Sequence, residues 1–159
     1  MSGRVSAGIL LYRRRDGELE VLLAHPGGPY FAGRDEDVWS IPKGEVEPDE
    51  TLYAVARREF EEETGSAAPD GSPLELGSIV QKGGKVVHGW ALEGDLDAST
   101  ARSNTFAMEW PPRSGRTIEV PEIDRVAWFG PAEARRHIKS TQIPLLERLE
   151  AGLTEGRAR

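Results

Sequence analysis

Glutamates crowd a short segment of this sequence, and three of them have helical spacing. Glu59, Glu62 and Glu63 would lie on one face of a helix, with their carboxylates within reach of a common point. Carboxylate oxygens in such a group are the ligands that hard divalent ions such as Mg²⁺ and Mn²⁺ prefer. The spacing therefore indicates a metal site, and a solvated acidic helix face is the alternative interpretation.

Two features beside these carboxylates could complete such a site. Arg58 precedes Glu62 by one helical turn, where its guanidinium can orient a carboxylate through a forked hydrogen bond. An ordinary surface ion pair is the alternative for this arginine. The corner Pro42-Lys43-Gly44 comes before the helix, and its glycine permits a sharp turn that could offer a backbone carbonyl to the metal. A plain turn would have the same sequence.

The same residues match the motif of a known family. The run REFEEETG at 58–65, preceded by Gly44 and Glu50, follows the spacing Gly-x5-Glu-x7-Arg-Glu-U-x-Glu-Glu-x-Gly-U, in which U is a bulky apolar residue. Residues 44–66 therefore resemble the Nudix box. Ser66 at the final U position is the one departure, and it affects packing after the helix rather than the carboxylates.

This resemblance implies a fold and a chemistry. The implied fold is α/β, a Nudix-like α/β/α sandwich with a mixed β-sheet and a loop-helix-loop catalytic motif. The implied reaction is hydrolysis of a nucleoside diphosphate linked to another moiety, with Mg²⁺ or Mn²⁺ as the cofactor. We expect a single Nudix hydrolase domain over residues 1–159.

The resemblance also implies a role for each matching position. The implied metal ligands lie in the box and the corner before it: Glu59, Glu62, Glu63 and the carbonyl of Lys43. Glu62 is alternatively the general base, and Arg58 orients the carboxylates. Gly44 and Glu50 support the site, Glu50 by steadying the loop against the helix.

A carboxylate from a later loop serves some family members as a ligand or base, a few residues before a strand that carries tryptophan. Glu122, six residues before Trp128, fits this description, and Glu119 is the fallback. A solvated loop acid is the alternative for either residue. The general base is thus expected to be Glu62 or Glu122.

The nature of the substrate stays open among nucleotide derivatives. The stretch WSIPKGE at 39–45 resembles the Trp-x-x-Pro-Lys-Gly form found in asymmetric diadenosine tetraphosphate hydrolases. A nucleoside polyphosphate or dinucleoside polyphosphate is therefore the expected substrate. An oxidised nucleoside triphosphate or another nucleoside diphosphate derivative is the alternative. A Nudix-like ligand sensor without turnover is a third hypothesis, and the complete set of box carboxylates argues against it.

Basic and aromatic side chains outside the box could contact such a substrate. The basic candidates for the outer phosphates are Lys43, Lys82, Lys85, Arg113 and Arg116. The aromatic candidates for stacking on a base are Tyr30, Phe31, Trp90, Phe106 and Trp110. Solvated surface charge and core packing are the corresponding alternatives.

Composition limits the class of protein. The absence of cysteine excludes thiol nucleophiles, zinc-thiolate sites and disulfides, and 27 acidic against 20 basic residues disfavour nucleic-acid or membrane partners. The apolar run that ends at Tyr12 is too short for a signal peptide or a membrane span. We expect a soluble cytoplasmic protein whose partner is a small nucleotide, and no oligomeric state is predicted.

The elements that must position these residues follow from hydrophobic periodicity and turn residues. Strands are predicted at 5–12, 19–24, 74–81, 85–92 and 123–129, the first four as two hairpins. Helices are predicted at 50–64, after Pro131 and at 143–153, and the first begins with Asp49 as N-cap and stops at Gly65. The segment 95–116 is predicted to be mostly irregular with a strand near 106–110, and the tail 154–159 to be frayed.

Overall fold

The computed structural model describes residues 4–158, so residues 1–3 and Arg159, which fall within the expected domain and tail, lie outside the described residues. The strands are β1 Val5–Arg15, β2 Glu18–Pro26, β3 Lys43–Glu45, β4 Leu74–Val80, β5 Val86–Glu93, β6 Thr105–Glu109, β7 Thr117–Pro121 and β8 Ile123–Phe129. The helices are α1 Leu52–Thr64, α2 Pro131–His137 and α3 Ile143–Ala158. No helix in this part of the chain is long and apolar enough to cross a membrane.

The central sheet is mixed, and one of its strands has a divided edge. The order is β4-β5-β1-β2-β8, and β1 pairs in parallel with β5 while its other pairings are antiparallel. On the edge away from β5, the start of β1 pairs with β3 at Ser6–Gly8, and its end pairs with β2 at Tyr12–Arg15. Because β2 and β3 pair with different parts of this edge, they leave an opening between them. The candidate site lies at this opening.

Helices cover both faces of the sheet, which confirms the α/β/α sandwich. On one face Ile9 and Leu11 pack with Val55 and Phe60 of α1. On the other face alternate residues of the same strands pack with α3 and the segment after α2, in a core that includes Leu10, Ile138, Leu145 and Leu149. Apolar side chains that alternate along β1 therefore fill two separate cores, one for each helical layer.

Helix α1 begins later than predicted. The N-cap residue is Thr51 rather than Asp49, so the prediction that the helix starts at Glu50 was wrong. Glu50 instead closes a turn: its backbone N–H donates to the carbonyl of Glu47, and its side chain accepts from the N–H of Glu47 at 3.0 Å. The predicted end is confirmed, because Gly65 has a φ of 80° and donates its N–H to the carbonyl of Glu61.

A second sheet begins within the segment 95–116, which was predicted to be mostly irregular, and ends beyond it at Pro121. β6 matches the strand expected near 106–110, but β7 was missed, and together they form an antiparallel hairpin from Thr105 to Pro121. Each strand is only five residues long and largely exposed, so the alternation of Ile118 and Val120 with polar neighbours is the only signal for β7 in the sequence. The prediction of a frayed tail from residue 154 was also wrong, because α3 continues to Ala158.

Candidate active site

A cleft of about 540 Å³ lies where β2 and β3 separate on the edge of β1. It is bounded by these strands, by the C-terminal half of α1 and by the residues that flank the β6–β7 hairpin. Its charged lining residues are Lys43, Glu45, Glu47, Arg58, Glu59, Glu62, Glu63, Lys85, Glu122 and Lys139. The structure thus brings the box carboxylates and the later carboxylate Glu122 into one cavity.

Helix α1 holds its glutamates by burying its opposite side. Val55, Ala56 and Phe60 are fully buried against the sheet, which leaves Glu59 and Glu63 at the boundary between core and cleft. Burial raises the pKa of the Glu63 carboxyl to about 8, and the negative charges of Glu59 and Glu122 add to this rise. The helix therefore keeps carboxylates in a place where their negative charge is disfavoured unless a cation is near.

Strand β3 contacts two of these carboxylates directly. The backbone N–H of Lys43 donates to Oε1 of Glu63 at 3.3 Å. The carboxylate of Glu59 lies against the Cα of Gly44, and a Cβ at this position would overlap it. Burial and the charge of Glu62 raise the pKa of Glu59 as well. A side chain at residue 44 would force this carboxylate to move, so glycine lets it keep its present position.

Arg58 links the helix to the turn that precedes it. Its Nη2 lies 2.9 Å from the Glu50 carboxylate, and its Nη1 lies 3.4 Å from both Glu59 and Glu62. Glu50 in turn accepts the N–H of Glu47, so a single guanidinium ties the turn to the acidic face. The orienting role of Arg58 and the supporting role of Glu50 stay predictions, and these contacts name the partners that each role would use.

Glu122 reaches the cleft from the short connection between β7 and β8. Its N–H donates to the carbonyl of Asn104 at 2.8 Å, and its carbonyl accepts from Gly27 at 3.0 Å. Asn104 also donates its N–H to the carbonyl of Glu62 at 3.1 Å, which joins this connection to α1. Among the described residues, the Glu122 carboxylate has no hydrogen bond or ion pair. Glu119, the fallback candidate, lies exposed within β7 and does not line the cleft.

The structure separates the basic candidates into two groups. Lys43 and Lys85 line the cleft, whereas Lys82, Arg113 and Arg116 are exposed and do not. The two arginines belong to the turn of the β6–β7 hairpin. Burial lowers the pKa of Lys43 to about 8, assisted by the positive charges of the nearby lysines.

The aromatic candidates do not line the cleft. Phe31 and Trp90 pack against the two cores, which is the alternative interpretation for each. Tyr30 and Trp110 contact each other edge to face at 5.2 Å between ring centroids, beside the hairpin turn. Phe106 is exposed on β6.

Several residues that line the cleft were not identified in the sequence. Ser6, Asn104 and Lys139 all lie in it, and each comes from a segment distant in sequence from the box. Lys139 follows α2, Asn104 precedes β6, and Ser6 is in the first strand. No local pattern marks them, because their place in the cleft depends on strand pairing and helix packing.

The chemical type of the donor atoms in the cleft suits a divalent cation. The ligand roles of the individual residues stay predictions. Within residues 4–158 no three His, Asp or Glu side chains already converge closely enough to hold a metal. Glu62 pairs with Arg58 at 3.4 Å, and Glu63 accepts the N–H of Lys43 at 3.3 Å. The available donors are carboxylate oxygens beside a glycine that leaves them space, which fits Mg²⁺ or Mn²⁺.

Comparison with known proteins agrees with this geometry. The family model described as NUDIX domain matches residues 3–149. A Caenorhabditis elegans Ap4A hydrolase in a binary complex is similar at 23% identity and a TM-score of 0.65, covering 96% of this chain and 98% of that one.

Two further solved structures share the fold. The NUDIX domain of Shewanella oneidensis NrtR, complexed with ADP ribose, has 16% identity and a TM-score of 0.66, over 96% of this chain and 90% of that one. A mutT/nudix family protein from Listeria innocua has 16% identity and a TM-score of 0.64, over 99% and 98% of the two chains. Since the family model covers nearly the whole chain, this protein belongs to the NUDIX domain family and is a pyrophosphohydrolase of that family.

Proposed function

We propose that the protein hydrolyses a phosphoanhydride bond of a nucleoside polyphosphate or dinucleoside polyphosphate, with the dinucleoside type preferred and water as the nucleophile. The observation that supports this most strongly is the joint presence of six carboxylates and three lysines in one cleft. Carboxylates can hold the cation that a pyrophosphate requires, and lysines can bind phosphate oxygens directly. We also propose that residues 1–159 form one hydrolase domain.

The proposed cation site consists of Glu59, Glu62, Glu63 and the carbonyl of Lys43. NUDIX hydrolases generally use divalent metals, usually Mg²⁺. When bound, such an ion neutralises phosphate oxygens and lowers the pKa of a water ligand. Arg58 keeps Glu59 and Glu62 oriented towards this site through its contacts at 3.4 Å.

Glu122 is the proposed general base. Its carboxylate is exposed, lines the cleft and lacks a partner among the described residues, so it is available to accept a proton from water. Glu62 is the other candidate, but its carboxylate is already paired with Arg58.

A nucleoside diphosphate derivative is the second candidate substrate. The similarity to a NUDIX domain complexed with ADP ribose favours including this class. The carboxylates would serve either class equally, so they do not discriminate between them.

A hydrolysis screen in which the nucleotide products are separated and identified tests the proposed function. The purified protein is incubated with Mg²⁺ or Mn²⁺ and with dinucleoside polyphosphates, nucleoside triphosphates, oxidised nucleotides, ADP-ribose, other sugar nucleotides and NADH. We expect the largest kcat/KM for a dinucleoside polyphosphate and no turnover with EDTA. Equal turnover with EDTA would contradict the proposed metal dependence, and preference for a two-phosphate substrate would favour the second candidate.

Glu63→Gln tests the cation site. This change keeps the size of the side chain but removes its charge, so we expect kcat to fall by about a hundredfold or more, since electrostatic stabilisation by a held metal supplies several kcal/mol. Glu61→Gln is the matched control, because Glu61 is exposed and does not line the cleft. Equal losses in the two variants would mean that the helix, rather than the site, had been damaged.

Glu122→Gln tests the general base. We expect kcat to fall at least about tenfold, because the variant can no longer accept a proton from water. Tm should change little, because the Glu122 side chain makes no hydrogen bond or ion pair among the described residues. The comparison variant is Glu62→Gln, assayed on the same substrate. Wild-type turnover in Glu122→Gln together with an inactive Glu62→Gln would place the base on α1.

Metal binding should strengthen as pH rises. The pKa of Glu63 is raised to about 8 by burial, so below that pH a proton competes with the cation for its carboxylate. Lys43, whose pKa is lowered to about 8, loses its repelling charge over the same range. The increase in Tm caused by Mg²⁺ should therefore be larger at pH 8.5 than at pH 6.5. A pH-independent increase, or the same dependence in Glu63→Gln, would show that Glu63 does not bind the ion.

A further inference from the structure

The cleft contains a basic group beside its carboxylates. The chain has four lysines, and three of them, Lys43, Lys85 and Lys139, line this one cavity. They are close enough to influence one another, because the positive charges of Lys85 and Lys139 lower the pKa of Lys43. Carboxylates act on each of them, through Glu63 and Glu45 on Lys43, Glu45 at 3.8 Å from Nζ of Lys85, and Asp37 on Lys139, yet the charge of Lys85 still lowers the pKa of both Lys43 and Lys139. An anionic ligand would relieve the remaining repulsion.

Ser6 adds a hydrogen-bonding group without a partner to the same cavity. It is fully buried in β1, opposite Glu45 of β3, and it lines the cleft. In the part of the chain that the structure describes, its hydroxyl is the only buried side-chain polar atom without a hydrogen-bond partner. A buried hydroxyl without a protein partner destabilises the folded protein, so the hydroxyl of Ser6 is available for a hydrogen bond to a ligand in the cleft.

The segment that carries Lys139 is held firmly against the cleft. The N–H of Lys139 donates to the carbonyl of Trp39 at 2.8 Å, and its carbonyl accepts from the N–H of Gln142. Gln142 is itself buried: its side chain accepts from the N–H of Ile41 at 3.1 Å and donates to Ser40 Oγ at 2.9 Å. This network fixes the backbone of Lys139 beside the loop that leads into the box.

We propose that Ser6 and Lys139, together with Lys85, form a phosphate subsite that selects substrates with at least one phosphate beyond the two joined by the cleaved bond. The inference rests on the proposed function, since it concerns the same cleft. Lysines repel a divalent cation, so their place is beside phosphates that the cation does not neutralise. The hydroxyl of Ser6 would donate a hydrogen bond to a phosphate oxygen. The subsite would therefore favour polyphosphate chains over simple diphosphates.

Binding of inorganic tripolyphosphate tests the subsite without metal or turnover. Calorimetry in EDTA compares the wild type with Lys139→Met, Ser6→Ala and the matched control Lys82→Met, which removes the same charge from an exposed position outside the cleft. We expect Kd to rise at least about tenfold in Lys139→Met and about threefold in Ser6→Ala, because charge-assisted hydrogen bonds are lost. The control should stay within about twofold of the wild type.

The stability of Ser6→Ala separates a binding role from a structural one. Because the hydroxyl has no partner in the protein alone, the variant should be at least as stable as the wild type while binding the anion more weakly. A lower Tm, or an unchanged Kd, would overturn the assignment of Ser6. An unchanged Kd in Lys139→Met, or an equal loss in Lys82→Met, would overturn the subsite as a whole.

A kinetic comparison tests chain-length selection. With Mg²⁺ present, Lys139→Met should raise KM for diadenosine tetraphosphate at least about tenfold and leave KM for ADP-ribose within about twofold, because only the longer chain extends past the cleaved bond. Equal effects on both substrates would contradict the selection. If the wild type hydrolyses neither substrate, the proposed function fails, while the tripolyphosphate measurement still decides whether the subsite exists.

Discussion

Repulsion between carboxylates is the constraint around which this site is built. Glu59 and Glu63 are held at the edge of a hydrophobic core near Glu122, and burial together with mutual charge raises the pKa of both. Several features oppose this cost: the guanidinium of Arg58, the positive charge and the N–H of Lys43, and the anchoring of α1 by buried side chains such as Phe60. Such an arrangement is under electrostatic stress that a divalent cation would release.

The divided edge of β1 explains why opposite charges meet in one place. β3 carries Lys43 and Gly44 against the acidic face of α1, while the gap between β3 and β2 leaves room for a ligand. Lys139 enters the same gap from beyond α2, on the side of the sheet where α3 packs. Carboxylates on one helix and lysines from three separate segments thus share a single cavity. This combination of negative and positive groups is complementary to an anionic substrate that has a bound cation.

Much of this was accessible from the sequence because it depends on neighbours along the chain. The spacing of Glu59, Glu62 and Glu63 is a property of a single helix, and Gly65 ends that helix through its own backbone freedom. The hairpins around Asp16-Gly17 and Gly83-Gly84 follow equally from local turn chemistry. The start of α1 was misplaced because Glu50 bonds to the preceding turn and to Arg58 instead of joining the helix. The residue type at position 50 alone does not distinguish these two states.

The remaining parts of the site were decided by tertiary structure. Ser6 and Lys139 are separated by more than a hundred residues, and only the pairing of β1 with β3 and the packing beyond α2 bring them into one cleft. The same folding turned Arg113 and Arg116 away, because they lie in the turn of an exposed hairpin. A sequence determines which residues share one helix face or one turn, since those contacts are local. Which distant segments meet is set by the burial of two cores at once, a property of the whole chain.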